Sequence, residues 1–356
     1  MANTVFILGA GASRSAGGPL VKDFLDIAFD LHKRGGLGDA EKRDFELVQQ
    51  GLNALQLAHS KARLDITNLE DVFDAFEMAA LVGRLGNLDR EQVARLPEAM
   101  RTLITVTLEQ LIRLPVQGRE MLPCPAHADF ARTIQELRRR AGSWPAVITF
   151  NYDVCLDHAL WCVGVPSSYR LAESDQQDWV SLLKLHGSLN WAHCPDCGTV
   201  QARSVSEQLE RMPVLPGSKA WRLEVAAKTV QSFRCGTCGK HAGQLMIVPP
   251  TWAKAQYQAL LRPVWAAAAG VLRDAENIFV CGYSLSETDT FFRYLYAVGS
   301  IGEATLRRFW VFNPDASLEG RFREFLGPQA ENRFQFHGVD FDNMVRHVAQ
   351  EMLRGM

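Results

Sequence analysis

Short apolar runs, each ended by a glycine or a polar residue, recur along the chain and predict the strands of a buried sheet. The first run, Thr4–Leu8, stops at Gly9. Later runs occupy 146–150, 182–185, 245–248, 278–281, 309–312 and 333–336, and helical segments such as 253–275 and 341–353 lie between several of them. Strands that alternate with helices predict an α/β fold, a Rossmann-like parallel sheet with helices on both faces.

Two regions interrupt this alternation. Residues 20–141 are helical in character, with Asn68 as a helix N-cap and apolar residues at helical spacing after it. Residues 191–244 contain paired cysteines and break the strand rhythm. We therefore expect a Rossmann-like domain formed by 1–19, 142–190 and 245–356, a large helical insertion at 20–141, and a small separate module at 191–244.

The overall composition is that of an ordinary globular protein. Apolar residues make up 47% of the 356 positions, and 38 basic residues nearly balance 40 acidic ones. The net charge of −2 argues against the chain as a whole binding nucleic acid directly. No apolar run approaches the length that spans a membrane, and the N-terminus lacks the features of a secretory signal, so we expect a cytoplasmic protein without a membrane partner.

Four of the eight cysteines form two Cys-x-x-Cys pairs. Two such knuckles suit tetrahedral thiolate coordination of Zn²⁺, although the 37 residues between the pairs exceed the usual spacing. Four thiolates leave no open coordination position, so the metal would be structural. Free or redox-active cysteines are the weaker alternative. The predicted metal ligands are Cys194, Cys197, Cys235 and Cys238.

A glycine motif follows the first strand. Gly9, Gly11 and Ser13 fit a turn in which the backbone approaches a pyrophosphate and the next helix N-terminus faces it. Arg14 stands where the usual dinucleotide fingerprint has a further glycine. By itself the motif fits a ligand-free turn equally well.

Polar residues also follow other strands, at the sheet edge where open parallel sheets bind ligands. Singly, each has an ordinary structural explanation, such as a helix cap or a hydrogen-bonded core histidine. These residues are Asn151 and Asp153 after the second run, His186 after the third, Gly282 and Ser284 after 278–281, and Asn313 after 309–312.

Taken in order, these motifs resemble the sirtuin (silent information regulator) superfamily, and they look most like its prokaryotic, NAD-consuming defence branch. The matching segments are GAGAS (9–13) with GGP (17–19), TFNYD (149–153), KLHGSLNW (184–191), the two cysteine pairs, GYSL (282–285) and FNP (312–314). The resemblance covers most of the chain outside the helical insertion. It implies NAD as substrate, bound in a cleft between a Rossmann-like domain and a small zinc-ribbon module at 191–244 that holds a structural Zn²⁺.

The resemblance also assigns roles to residues. Gly9, Ala10, Gly11 and Ser13 would hold the pyrophosphate. Asn151 and Asp153 would hold the nicotinamide ribose and carboxamide, with His186 as general base. Gly282 and Ser284 would contact the phosphate and ribose side, and Asn313 the adenosine ribose.

The reaction expected from this resemblance is NAD⁺ hydrolysis to nicotinamide and ADP-ribose, in an anti-phage defence effector. Deacylases of the family carry Gln-Asn-Ile-Asp where this chain has Phe150-Asn151-Tyr152-Asp153, and their peptide-pairing segment corresponds to a stretch with Pro249 and Pro250 here. Proline cannot donate to a strand ladder, which disfavours peptide binding. The alternatives are an NAD-dependent protein deacylase or ADP-ribosyltransferase, and a non-catalytic NAD- or ADP-ribose-binding regulatory module. An enzyme that drains NAD⁺ must be restrained, so we expect a regulatory protein partner or a homo-oligomer.

Overall fold

The computed structural model describes residues 3–58, 64–172, 178–210, 217–248, 255–286 and 290–348. Its strands are β1 (Thr4–Leu8), β2 (Arg113–Gln117), β3 (Glu120–Met121), β4 (Ala146–Thr149), β5 (Ser167–Ser168), β6 (Val180–Lys184), β7 (Gly187–His193), β8 (Val200–Ala202), β9 (Ala220–Arg222), β10 (Gln244–Ile247), β11 (Asn277–Cys281), β12 (Arg308–Phe312) and β13 (Phe334–His337).

The α-helices lie between and beside these strands. They are α1 (Phe24–Arg34), α2 (Asp39–Ala58), α3 (Leu69–Val82), α4 (Arg90–Leu111), α5 (Pro125–Ala141), α6 (Cys155–Val163), α7 (Val205–Glu210), α8 (Ala226–Gln231), α9 (Ala255–Leu260), α10 (Arg262–Arg273), α11 (Thr290–Gly299), α12 (Leu318–Phe325) and α13 (Phe341–Asn343). Residues 253, 254 and 349–353 of the predicted helices, like 249–252 of the predicted peptide-pairing segment, lie outside the described residues.

A seven-stranded parallel sheet forms the centre of the molecule, as the sequence predicts. Its strand order is β13-β12-β11-β1-β4-β6-β5. Strands β4, β5 and β6 lie on one side of β1, and the later strands β11, β12 and β13 lie on the other. The strand order therefore reverses between β1 and β11, where a Rossmann-type sheet opens a crevice at its carboxyl edge.

Both faces of this sheet are buried. On β1, Val5 and Ile7 pack into one apolar cluster, and Phe6 and Leu8 pack into another. The first cluster is covered by α10, α11 and α12, and the second by α5 and α6. Helix α5 thus covers the sheet, although the sequence placed it in the helical insertion. Its apolar residues 126, 130, 131, 134 and 137 contact strand side chains, which explains the difference.

Helices α1 to α4 form a third apolar cluster, which is the core of the helical insertion. Side chains fix the N-termini of α3 and α4: Asn68 accepts a hydrogen bond from the Glu70 amide at 2.8 Å, and Asp89 forms a capping box with Gln92. These caps satisfy amides that the first turn of a helix leaves without partners.

One predicted strand belongs to a different sheet. The run at 245–248 was expected to extend the parallel series, but β10 instead pairs antiparallel with β7, which also pairs with β8. Gly187 explains this change of sheet, because its φ of +76° turns the chain away from the parallel sheet directly after His186. A third small sheet, β3-β2-β9, joins the end of the insertion to the 191–244 region. Within the described residues, no helix has the length and apolar character needed to cross a membrane.

Candidate active site

The loops that follow five strands meet at the carboxyl edge of the parallel sheet. The ladder continues past the strand ends, with the Gly9 amide donating to Cys281 at 3.1 Å and the Phe150 amide donating to Leu8 at 3.0 Å. A cavity of about 720 Å³ opens there, within the usual range for ligand sites. It is lined by all ten residues that the sequence assigned to NAD: Gly9, Ala10, Gly11, Ser13, Asn151, Asp153, His186, Gly282, Ser284 and Asn313.

The motif glycines are needed for packing between two loops. A Cβ on Gly9 would lie 2.5 Å from the Tyr283 Cα, and a Cβ on Gly11 would lie 2.7 Å from the Gly282 Cα. The amides of Gly11 and Ala12 are already engaged, donating to Gly282 and Gly9. The segment that follows β1 is a 3₁₀ helix, Ala10–Ala16, in place of the expected start of an α-helix. The glycines thus explain how the loops pack closely, whatever ligand the cavity holds.

Three side chains form a hydrogen-bonded cluster on the cavity wall. The Ser13 hydroxyl donates to Asp153 Oδ2 at 2.7 Å and accepts from Asn151 Nδ2 at 3.0 Å. Asn151 Nδ2 also donates to the Gly9 carbonyl at 3.0 Å. Both hydrogens of this amide nitrogen are therefore used, and Oδ1 is the side-chain atom left to accept a hydrogen bond from a ligand or a water.

The carboxylate of Asp153 is buried and kept ionised by its surroundings. Burial raises its pKa, but the nearby Lys184 ammonium, His127 and the Ser13 hydrogen bond outweigh burial and hold the pKa below its ordinary value. The Cys155 amide, in the first turn of α6, also donates to Asp153 Oδ1 at 3.0 Å. The cavity wall thus carries a fixed negative charge.

His186 lies in an aromatic setting at the end of β6. It is 6% exposed, the edge-to-face partner of Phe150 at 5.1 Å between ring centroids, and beside the Tyr152 ring at 6.1 Å. Its carbonyl accepts from the Val248 amide at 2.7 Å, and the Tyr152 hydroxyl donates to the Val248 carbonyl at 2.6 Å. Val248, which directly follows β10, therefore fixes the main chain of His186, while the His186 side chain lines the cavity.

The helical insertion forms the opposite side of the cavity. Residues 65 and 67–70, at the start of α3, line it together with Ile104 and Leu108 of α4. Ser286, which follows β11, donates a hydrogen bond to the buried Glu70 carboxylate, so the insertion and the sheet are joined beside the cavity. The insertion therefore narrows a crevice that an open sheet alone would leave exposed.

Asn313 and Ser284 line the cavity from the loops that follow β12 and β11. Asn313 Nδ2 donates to the Tyr283 carbonyl at 3.3 Å, and its Oδ1 accepts from the Asp315 amide. Ser284 is exposed, and its carbonyl accepts from Arg321. Arg14, Lys22 and Arg321 line the same cavity and supply positive charge.

The four predicted metal ligands come together in the small module. Cys194 Sγ lies 3.5 Å from Cys238 Sγ, Cys197 Sγ lies 3.5 Å from Cys235 Sγ, and all four sulfurs lie within 4.8 Å of one another. Tetrahedral Zn²⁺ with bonds of about 2.3 Å needs sulfurs roughly 3.8 Å apart, so the donor set fits zinc.

The two cysteine knuckles have the same backbone geometry. The amide of the first cysteine in each knuckle donates to the carbonyl five residues on, at 3.0 Å for Cys194 and 2.8 Å for Cys235. Each knuckle ends on a left-handed glycine, Gly198 with φ +72° or Gly239 with φ +73°. The two knuckles therefore share one backbone conformation, which suits the binding of a single ion by their thiolates.

Comparisons with known proteins give the following likenesses. A triple mutant of a Sir2 homologue in complex with 2′-O-acetyl ADP ribose has 15% identity and a TM-score of 0.44, over 99% of this chain and 92% of that one. A Sir2 homologue–NAD complex has 17% identity and a TM-score of 0.42, over 99% and 90%. A mutant Sir2 homologue with ADP ribose has 17% identity and a TM-score of 0.43, over 98% and 93%. No family model matches the chain, and no curated protein matches it.

Sequence reasoning missed the cavity residues that come from outside the strand ends. Glu70 looked like part of an ordinary helix start, and Arg321 lies on α12, one of the helices that cover the sheet. Lys184 was noted only as part of the His186 motif. A lysine inside an otherwise apolar strand was the one signal that could have revealed its role, because a buried ammonium needs partners.

Proposed function

We propose that the protein is an NAD⁺ glycohydrolase that cleaves the nicotinamide–ribose bond and releases nicotinamide and ADP-ribose. The observation that carries the proposal is the cluster of Ser13, Asn151 and Asp153 in the same cavity as the buried His186. The motif resemblance assigns Asn151 and Asp153 to the nicotinamide ribose and carboxamide, His186 to the general base, and Ser13 to the pyrophosphate.

The chemistry fits these groups. As the C1′–N1 bond breaks, its electron pair leaves with neutral nicotinamide and positive charge develops on the ribose. The buried Asp153 carboxylate supplies a fixed negative charge for that cation. Asn151 Oδ1 orients the attacking water, whose oxygen bonds to C1′ and whose proton passes to His186.

The cations of the cavity suit the rest of a dinucleotide. Arg14, Lys22 and Arg321 line the crevice and would balance the two negative charges of a pyrophosphate. Arg321 is oriented by hydrogen bonds that it donates to the carbonyls of Ser284, which lines the crevice, and of Leu285.

The helical insertion favours water over a peptide as the acceptor. Glu70 and Ser286 join the insertion to the sheet beside the cavity, and Ile104 and Leu108 add an apolar wall. This leaves less room for an extended peptide. The test is product analysis after incubation with NAD⁺, with and without an acetyl-lysine peptide. We expect nicotinamide and ADP-ribose regardless of peptide; formation of O-acetyl-ADP-ribose only with peptide would instead indicate a deacylase.

We also propose that the enzyme acts as an anti-phage defence effector restrained by a partner protein or by its own oligomerisation. The reason is chemical: unrestrained NAD⁺ hydrolysis would harm the cell that makes it. Gel filtration coupled to an activity assay tests this. A monomer whose full activity is changed neither by a partner protein nor by self-association would contradict the proposal.

A further inference from the structure

A buried lysine lies beneath the cavity wall. Lys184, the last residue of β6, is 1% exposed. Its Nζ donates to the Asp153 main-chain carbonyl at 2.6 Å and to Asp157 Oδ2 at 3.1 Å. A buried ammonium is costly unless it is fully paired, so its retention at this place calls for an explanation.

A chain of buried polar groups continues from this lysine away from the cavity. Asp157 accepts from the Tyr169 hydroxyl, and Asn190 Nδ2 donates to that hydroxyl at 3.1 Å and to the Arg203 carbonyl at 2.8 Å. The chain therefore runs from Ser13 in the cavity to the β7–β8 hairpin. Lys184 supplies the ammonium of this chain, which bonds the Asp157 carboxylate and the main-chain carbonyl of Asp153.

Titratable and charged groups surround Asp153 from several elements. They come from the start of α5, from α6 and from the end of β6, and they are Cys124, His127, Cys155, Asp157, Lys184 and His186. Asp340 and Asp342 line the same cavity from α13 and the residue before it. The thiols and carboxylates among these groups carry no positive charge, so they cannot offset the cost of burying the Asp153 carboxylate.

We propose that Lys184 is a positioning residue for nicotinamide–ribose cleavage, whose ammonium keeps the Asp153 carboxylate ionised and in place. The proposal rests on the function proposed above. Lys184 does this by two routes: its charge favours the carboxylate form of Asp153, and its bond to the Asp153 carbonyl fixes the backbone that presents that carboxylate to Ser13.

The test compares two variants that differ only in the ammonium. Lys184→Met alone would leave Asp157 buried without its cation, whereas Lys184→Met/Asp157→Asn replaces the whole pair with neutral groups and keeps an acceptor for Tyr169. Asp157→Asn is the matched control, because it retains Lys184. The readouts are the pH profile of nicotinamide release and a ¹³C titration of the Asp153 carboxyl, assigned with Asp153→Asn.

We expect the acidic limb of the pH profile to lie about one pH unit higher in the double variant than in Asp157→Asn, and the ¹³C midpoint of Asp153 to move in parallel. The reason is that an opposite charge nearby lowers a carboxyl pKa by about that much or more. The control should show no upward movement. Identical acidic limbs or ¹³C midpoints in the two variants would overturn the proposal. If the wild type releases no nicotinamide, either on its own or with its partner restored, the proposed function fails, and the ¹³C titration still decides the role of Lys184.

Discussion

At the scale of single residues, the site depends on Ser13. Its hydroxyl is the only atom that bridges Asn151 and Asp153 in the described structure, accepting from one and donating to the other. It fixes the amide orientation that leaves Asn151 Oδ1 for a ligand. A small side chain on the glycine loop thus organises two groups that come from another strand end.

Ser13→Ala should therefore reduce nicotinamide release by about 10- to 100-fold, because a hydrogen bond to a charged group contributes about 1.5–3 kcal/mol. Steady-state kinetics with NAD⁺ would measure the loss. Ser232→Ala, an exposed serine bonded only within its own helical turn, is the control and should retain wild-type rates. Equal activity of Ser13→Ala and wild type would remove Ser13 from the mechanism.

Motif residues at strand ends could be predicted from sequence because strand ends of one parallel sheet meet at a common edge. That rule brought Asn151, His186 and Asn313 to one cavity without any knowledge of the fold's details. Contacts such as Glu70 with Ser286 could not be predicted, since they depend on how a 120-residue insertion packs back over the sheet.

At the scale of elements, the turn after His186 decides where the chain goes next. Gly187 has a left-handed φ of +76°, and a Cβ there would lie 2.1 Å from the Met246 carbonyl oxygen. The turn allows β7 to leave the parallel sheet and pair with β10. The sequence showed an apolar run at 245–248, but its partner strand depends on this turn and was not predictable from periodicity.

Gly187→Ala should destabilise the protein by more than the 1–2 kcal/mol that a left-handed backbone costs an alanine. Gly142→Ala is a matched control, because Gly142 has the same φ of +76° and no atom within 4 Å of the added Cβ. Urea unfolding of both variants isolates the steric contribution at Gly187. An equal loss of stability would show that Met246 moves aside without cost.

At the scale of the whole molecule, the helical insertion and the cysteine module are joined through Glu109 on α4. Its carboxylate accepts from the Val225 and Ala226 amides at the start of α8, at 2.5 and 2.7 Å. Burial raises its pKa to about 7, against the lowering effect of those two bonds. The joint therefore contains a carboxyl that titrates near neutral pH.

The pKa of Glu109 in the folded protein lies above the ordinary 4.5. Its contribution to the free energy of unfolding is therefore complete below about pH 4.5 and is lost as the pH rises through about 7. Glu109→Gln should thus gain stability relative to wild type over this range, by no more than about 3 kcal/mol. Thermal unfolding of both proteins at pH 5, 6, 7 and 8 measures this. A constant difference between them would contradict the assignment.

The cysteine module should bind one Zn²⁺ per chain, and β7 connects that site directly to His186 and Gly187. Removing the metal with a chelator, or changing Cys235 to serine, should lower the thermal midpoint, because structural zinc contributes to folding free energy. Cys162→Ser, an exposed thiol outside the cluster, is the control. Unchanged stability after complete metal removal would contradict a structural role.

The most direct test of the account is nicotinamide release from NAD⁺ by the purified protein without any peptide, beside Asn151→Ala and His186→Ala. The account predicts release by the wild type, on its own or with its partner restored, and near-complete loss in both variants. Release that persists in both variants, or that appears only with an acyl-lysine peptide, would contradict it.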